Sequence, residues 1–290
     1  MKHCTQTLIC LVALHSAGIA SSPALAAPAP TPSPIVETYG SPAGEPKLDL
    51  KWSVYLPAGS GPWPAVLVIH SGGFKHGSRN DNEVVLCAHD LADAGFLALA
   101  ISYRLAPPGQ IDGQRLYNDD GRYPEQTADV QMAIRAARVD PRGNGQVGAV
   151  GGSAGATHTS VAAATGAAGD DRLDVGICLS GTYNFADFSG DIHGLVQHLC
   201  MNYVGSSDLT VLLNDSPISV VDSTISPLFL TNTQMDPQPL PQLLDMIAKL
   251  KAVGATNYDS SILPGSKHAF EYWSEVRAPA VKFLTNGFAH

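Results

Sequence analysis

The segment Gln146-Val147-Gly148-Ala149-Val150-Gly151-Gly152-Ser153-Ala154-Gly155-Ala156 constrains this chain more than any other. It passes from a short apolar stretch with strand character, through Gly-x-Ser-x-Gly, into an Ala-rich stretch suited to a helix. That passage requires a sharp, strained turn, and glycines at 151 and 155 remove side chains that would collide in it. A serine at the apex then stands above the sheet. The amino terminus of a helix behind it favours developing negative charge. A bare Gly-x-Ser-x-Gly also occurs in ordinary Gly-rich turns, so its surroundings decide what it means.

Those surroundings supply a frame. Leu48, Leu50, Trp52, Val54 and Leu56 alternate with other residues, the pattern of a half-buried strand at a sheet edge. Residues 65–69, 96–101, 147–150, 175–179 and 228–230 are continuous apolar runs, expected where both faces of a strand are covered. Between them, Val130, Ala133, Ile134 and Ala137 fall at helical spacing after Pro124, and residues 240–250 form a similar stretch before Gly254. Strands alternating with helices predict an α/β chain with a mostly parallel central sheet and helices on both faces. Ligands of such sheets gather at the carboxyl ends of the strands. No internal repeat or linker divides the chain, so one domain is expected over residues 35–290.

Three further segments complete a chemical constellation. His70-Ser71-Gly72-Gly73-Phe74 directly follows the apolar run 65–69, and its glycine pair lets main-chain N–H groups turn toward a substrate carbonyl. The N–H groups of Gly72, Gly73 and Ala154 are the candidate oxyanion donors. A serine hydroxyl is a weak nucleophile until a base takes its proton, and the base needs an anion to fix its tautomer. In chain order Ser, acid, His, the candidate base is His268, in the loop Pro264-Gly265-Ser266-Lys267-His268-Ala269-Phe270; the terminal His290 is the rival. The candidate acid is Asp236, which follows the apolar run and precedes Pro237, with Asp222 and Asp245 less well situated. Capping of the following helix is the alternative role for Asp236.

Composition excludes other classes. The chain has 290 residues, 44% hydrophobic and 15% charged, with a formal net charge of -9 and no Lys/Arg run. That offers no electrostatic footprint for nucleic acid or anionic membrane. Met1-Lys2-His3, an apolar run over residues 8–14 and Ala24-Leu25-Ala26 have the order of a signal peptide over residues 1–26. A Pro-rich leader over 27–34 would then precede the domain, and the protein would be secreted or periplasmic without a stable membrane anchor. Cys87, Cys178 and Cys200 would remain in the mature chain, either as buried thiols or with a 178–200 disulfide. Asp191, His193, His198 and Cys200 fit no tight zinc spacing, His158 suits a core histidine, and the constellation calls for no metal or cofactor. The aromatic segment 180–216, with Tyr183, Phe185, Phe188, Leu195 and Tyr203, is either a small lid or core under a loop.

The elbow, the His70 loop, Ser102-Tyr103-Arg104-Leu105-Ala106-Pro107, Tyr123-Pro124 with Asp129-Val130, Ser216-Pro217-Ile218 and the His268 loop together resemble the secreted bacterial α/β-hydrolase esterases. The resemblance lies near the hormone-sensitive-lipase-like and feruloyl or acetylxylan esterase group and covers almost all of the mature chain. It implies the α/β-hydrolase fold with at most a small lid, Ser153 as nucleophile, Asp236 as acid, His268 as base, and Gly72, Gly73 and Ala154 as the oxyanion hole. Where relatives commonly carry glycine, this chain has Ser71. The implied activity is hydrolysis of a small-molecule ester with a short-chain or aromatic acyl group. An amidase, peptidase or arylformamidase would carry the same triad, and a non-catalytic binding protein is the third reading.

Overall fold

The computed structural model describes Met1 and residues 33–42, 48–108, 110–111, 114–115 and 121–289. The chain divides into two compact units, Met1–Ser33 and Pro34–His290, and every element described belongs to the second. The expected signal peptide and all but the last residues of the leader lie outside the described residues.

The strands, in chain order, are β1 (Ile35–Gly40), β2 (Leu50–Tyr55), β3 (Trp63–Ile69), β4 (Leu97–Ile101), β5 (Gln110–Ile111), β6 (Gln114–Arg115), β7 (Gly143–Gly152), β8 (Val175–Leu179), β9 (Leu228–Thr233) and β10 (Tyr258–Leu263). The helices are α1 (Asn82–Asp93), α2 (Glu125–Arg138), α3 (Ala154–Ala164), α4 (Leu195–Val204), α5 (Leu209–Asn214), α6 (Pro217–Val220), α7 (Leu240–Ala252) and α8 (Trp273–Phe288), with a 3₁₀ turn at Ala269–Tyr272. Eight strands form one sheet in the order β1-β2-β4-β3-β7-β8-β9-β10, while β5 and β6 make a separate two-stranded ribbon. β1 and β2 enter antiparallel, and β4, β3, β7, β8, β9 and β10 run parallel. This is the α/β-hydrolase fold.

The apolar runs are continuous because both faces of these strands are covered. Side chains alternate across a strand, so Val66 and Val68 face α1 and α8, while Ala65, Leu67 and Ile69 face α2. In β8 the same alternation sends Ile177 and Leu179 toward α8 and Cys178 toward α7 and α3. α3 is buried at every position from Ala154 to Ala164, as expected of a small-residue helix held between a sheet and other helices.

The strand order fixes where chemistry can occur. From β3 the chain crosses to β4 on one side, then returns to β7 on the other, so the direction of winding reverses between β3 and β7. At such a switch point the loops leaving the two strands diverge and open a crevice. The His70 loop leaves β3, and the Ser153 turn leaves β7.

The structure decides two alternatives that the sequence leaves open. In the segment 180–216 the aromatics Tyr183, Phe185 and Tyr203 are buried, so the core reading holds for them, and the segment above them contains α4 and α5. Leu195 alone of the five named residues is fully on the surface, and Phe188 is half-buried. No disulfide joins Cys178 to Cys200; both, like Cys87, are buried free thiols whose titration burial pushes upward.

Candidate active site

Ser153 sits between the last residue of β7 and the first of α3 with φ 51° and ψ −115°. Its N–H donates to Leu179 O of the neighbouring strand at 2.8 Å, which seats the turn on the sheet while the side chain remains half-buried. Backbone crowding explains the glycine at 155: a Cβ there would lie 2.1 Å from Ile69 O. α3 therefore starts almost in contact with the end of β3.

The loop after β3 reverses tightly, with Lys75 and His76 N–H both donating to Gly72 O. Gly72 has φ 128°, and a Cβ on it would stand 2.0 Å from His76 O, so no other residue fits. Phe74, also at positive φ, is held through its carbonyl, which accepts from Ala106 N and Gln126 Nε2. Gln126 in turn orients His158: its amide nitrogen is occupied by the carbonyls of Phe74 and Gly121, so its oxygen faces His158 Nε2 at 2.9 Å and requires the proton there. Burial and the neighbouring His70 push the His158 pKa down to about 3, so it is neutral. His158 is thus a core histidine beneath the loop that carries Gly72 and Gly73. Tyr103 buttresses the same loop by stacking on His70 and donating to His70 O at 2.9 Å. Arg104, beside it, is locked between Asp129 and Glu125.

The remaining site residues come from the loops after β9 and β10, whose ends are laced together. Gln234 N donates to Leu263 O, Met235 N to Gly265 O, and Thr233 Oγ1 to Lys267 O. Lacing brings Asp236 Oδ1 to 2.6 Å from His268 Nδ1, with the carboxylate fully buried and the imidazole 29% exposed. A carboxylate oxygen can only accept, so Nδ1 carries the proton and Nε2 keeps its lone pair. Gln238 N also donates to Asp236 Oδ1, at 2.7 Å, making a local turn. The alternative role for Asp236 does not apply, because α7 begins at Leu240 with no side-chain cap. Asp222 is engaged with Thr224 and Asp245 with Asn184; His290 lies outside the described residues.

These loops meet one another. A Cβ on Gly152 would lie 2.7 Å from both Phe270 of the His268 loop and the hydroxyl of Ser71. Ser71, His268, Ala269 and Phe270 also share a cavity of about 150 Å³ with Asp81 and Glu83. On the other flank α4 covers the loop: Val196, Cys200 and Tyr203 pack with Phe74 and Ala154, and Leu199 reaches over Gly73. Asp191, once weighed as a metal ligand, caps α4 by accepting from Leu195 and Gln197 N–H. Among the described residues, no group of three His, Cys, Asp or Glu side chains stands close enough to hold a metal.

Four non-glycine residues among those described have positive φ: Phe74, Ser153, Ser180 and Ala269. Each such conformation costs of the order of 1–3 kcal/mol and persists only where surrounding structure enforces it. Phe74, Ser153 and Ala269 belong to the loops just described, and Ser180 directly follows β8, between the strands that lead to Ser153 and Asp236. Ser180, unlike the others, carried no sequence signal: it is a lone serine after an apolar strand, in no motif.

No curated protein sequence matches the chain. Among solved structures, a truncated carbohydrate esterase from gut microbiota is similar at 18% identity and TM-score 0.71, covering 91% of this chain and 99% of its own. A thermophilic esterase from the planctomycete Thermogutta terrifontis, bound to propionate, is similar at 18% identity and TM-score 0.66, covering 90% and 95%. Residues 52–242, more than half of the sequence and including the Ser153 turn, the His70 loop and Asp236, match the BD-FAE family, and this chain belongs to that family.

Proposed function

We propose that this protein is an exported serine esterase that cleaves small-molecule carboxylic esters through an acyl-enzyme on Ser153. The observation that carries the reading is the buried 2.6 Å Asp236–His268 pair, on loops at the same sheet edge as a serine held at φ 51°. In this reading Asp236 fixes the Nδ1–H tautomer, and His268 Nε2 takes the Ser153 proton as Oγ attacks the ester carbonyl. The oxyanion is met by the N–H groups of Gly72, Gly73 and Ala154, each worth about 3 kcal/mol in comparable sites. His268 then returns the proton to the departing alcohol, and water repeats the sequence to free the acid. No cofactor takes part.

BD-FAE membership and the esterase neighbours support this reading, as does the Thermogutta terrifontis esterase being known in a form phosphonylated by sarin. The lid position of α4, with Leu199 over Gly73, supports a short acyl group. Export rests on the N-terminal sequence, and the mature protein is expected to begin at Ala27. Purified protein should hydrolyse p-nitrophenyl acetate and butyrate faster than the decanoate, and Ser153→Ala should lose at least about 10³-fold in kcat. A Ser153→Ala protein as active as the wild type would overturn the proposal.

A further inference from the structure

Ser180 directly follows β8, which lies between the strand that leads to Ser153 and the strand that leads to Asp236. Its residue is 1% exposed, and its hydroxyl touches three groups. Asp236 Oδ2 is 2.5 Å away, the Ala269 N–H 2.9 Å and the Tyr272 hydroxyl 2.8 Å. Proton directions follow from the chemistry of these partners. A backbone N–H only donates and an ionised carboxylate only accepts, so the single Ser180 proton points at Asp236 while its oxygen receives Ala269 N–H. Tyr272 accepts from the Thr231 hydroxyl on β9 and, because the Ser180 proton is engaged with Asp236, donates its own to Ser180, the nearer acceptor at 2.8 Å against 3.1 Å for Thr231 O.

This hydroxyl therefore grips both halves of the acid–base pair. On one side it satisfies the carboxylate oxygen that His268 does not use, since Oδ1 already serves His268 and Gln238. On the other it holds the residue next to His268 in chain, Ala269, itself at φ 52°. Ser180 also sits at φ 55°, a conformation in which glycine would be unstrained. A polar side chain in a strained, buried position that glycine suits better points to a role for its hydroxyl.

Resting on the Ser153–His268–Asp236 reading, we propose that Ser180 is a positioning residue of the reaction: its hydroxyl orients the Asp236 carboxylate and registers the His268 loop against it. Losing the hydroxyl leaves a buried carboxylate oxygen without its donor and lets the pair rotate. Turnover should fall more than substrate binding. The pair should also become more basic, because an anion deprived of a donor holds a proton more readily. The titratable groups facing the hydroxyl are Asp236 and Tyr272, with His268 one bond beyond.

The test compares Ser180→Ala, Ser180→Gly and Ser180→Cys with wild type on p-nitrophenyl acetate across pH. The glycine variant removes the hydroxyl and relieves the strain; the cysteine variant keeps a weak donor. Expected are a roughly tenfold fall in kcat for Ala and Gly with KM within about twofold, an acid limb of the kcat/KM profile moved up by about half a unit, and partial recovery in Cys. Variants with wild-type kcat and profile, a loss in KM alone, or failure of all three to fold would each overturn the proposal. A fluorophosphonate probe separates this from failure of the underlying reading: if wild type is not labelled at Ser153, the triad reading fails; if it is labelled and the variants match it, only the role of Ser180 fails.

Discussion

At the scale of single residues, the site depends on contacts that tolerate little change. Asp236→Asn keeps the volume of the side chain but turns an obligate acceptor into a group that can present N–H to His268 Nδ1. The imidazole would then carry its proton on Nε2, facing the wrong way, and kcat should fall by about 10³-fold or more at neutral pH; steady-state kinetics with matched thermal melts check this. Gly155→Ala places a methyl group 2.1 Å from Ile69 O, backbone against backbone. Urea unfolding should register a loss of about 3 kcal/mol. Sequence alone singles out the glycine at 155, Asp236 in a loop directly after an apolar run, and His268 because its one late rival is the terminal His290. It could not identify Ser180, whose importance comes from a neighbour 56 residues away in the chain and from a φ value that no motif encodes. The choice between buried thiols and a Cys178–Cys200 disulfide stayed open for a related reason: sequence separation says nothing about the burial that sends Cys178 to the α7 side of the sheet and Cys200 to the aromatic cluster under α4, where both are free thiols.

At the scale of elements, β10, the sequence Tyr-Asp-Ser-Ser-Ile-Leu, is partly exposed and shows no continuous apolar run. The parallel strands β3, β4, β7, β8 and β9 and helix α2 were legible because full burial leaves no polar interruption and the period of an amphipathic helix survives in Val130, Ala133, Ile134 and Ala137. β1 was not, since it contributes a single buried residue, Tyr39, from an otherwise open edge. In segment 180–216, α4 is a ten-residue helix bounded by Gly194 and Gly205 in left-handed conformation with Val196, Cys200 and Tyr203 on its buried face, and α5 has only six residues. α4 places Leu199 over Gly73 on one flank of the site, where the proposed acyl group would sit. Leu199→Ala should raise kcat/KM for hexanoate relative to acetate by roughly tenfold through the space opened over Gly73, a ratio that a substrate panel measures directly. α3 and the oxyanion loop share His158, which the fold holds neutral at a pKa of about 3 against an ordinary 6.5. The unfolded chain binds a proton there and the folded chain does not, so stability contributed by this group is complete above pH 6.5 and declines as pH falls from 6.5 toward 3. The slope is at most about 1.4 kcal/mol per pH unit. Urea unfolding between pH 7 and 4 should be steeper for wild type than for His158→Gln, even though the variant is less stable at pH 7; parallel slopes would contradict a buried neutral imidazole.

For the whole molecule, one topological fact organises the rest. The winding reverses between β3 and β7, so two loops diverge there, and the next strands out, β8, β9 and β10, add their carboxyl ends in order. The proposed nucleophile, positioning serine, acid and base thus follow the strand order across the sheet, one from each loop, while α4 covers the opposite flank. The central claim is that this row of loops makes Ser153 a nucleophile. It is tested most directly by reacting the protein with a fluorophosphonate and mapping the adduct by peptide mass spectrometry. The account predicts one phosphonyl group per chain, on Ser153, lost in Ser153→Ala and formed far more slowly in His268→Ala. An adduct on another residue, or labelling that persists in Ser153→Ala, would contradict it.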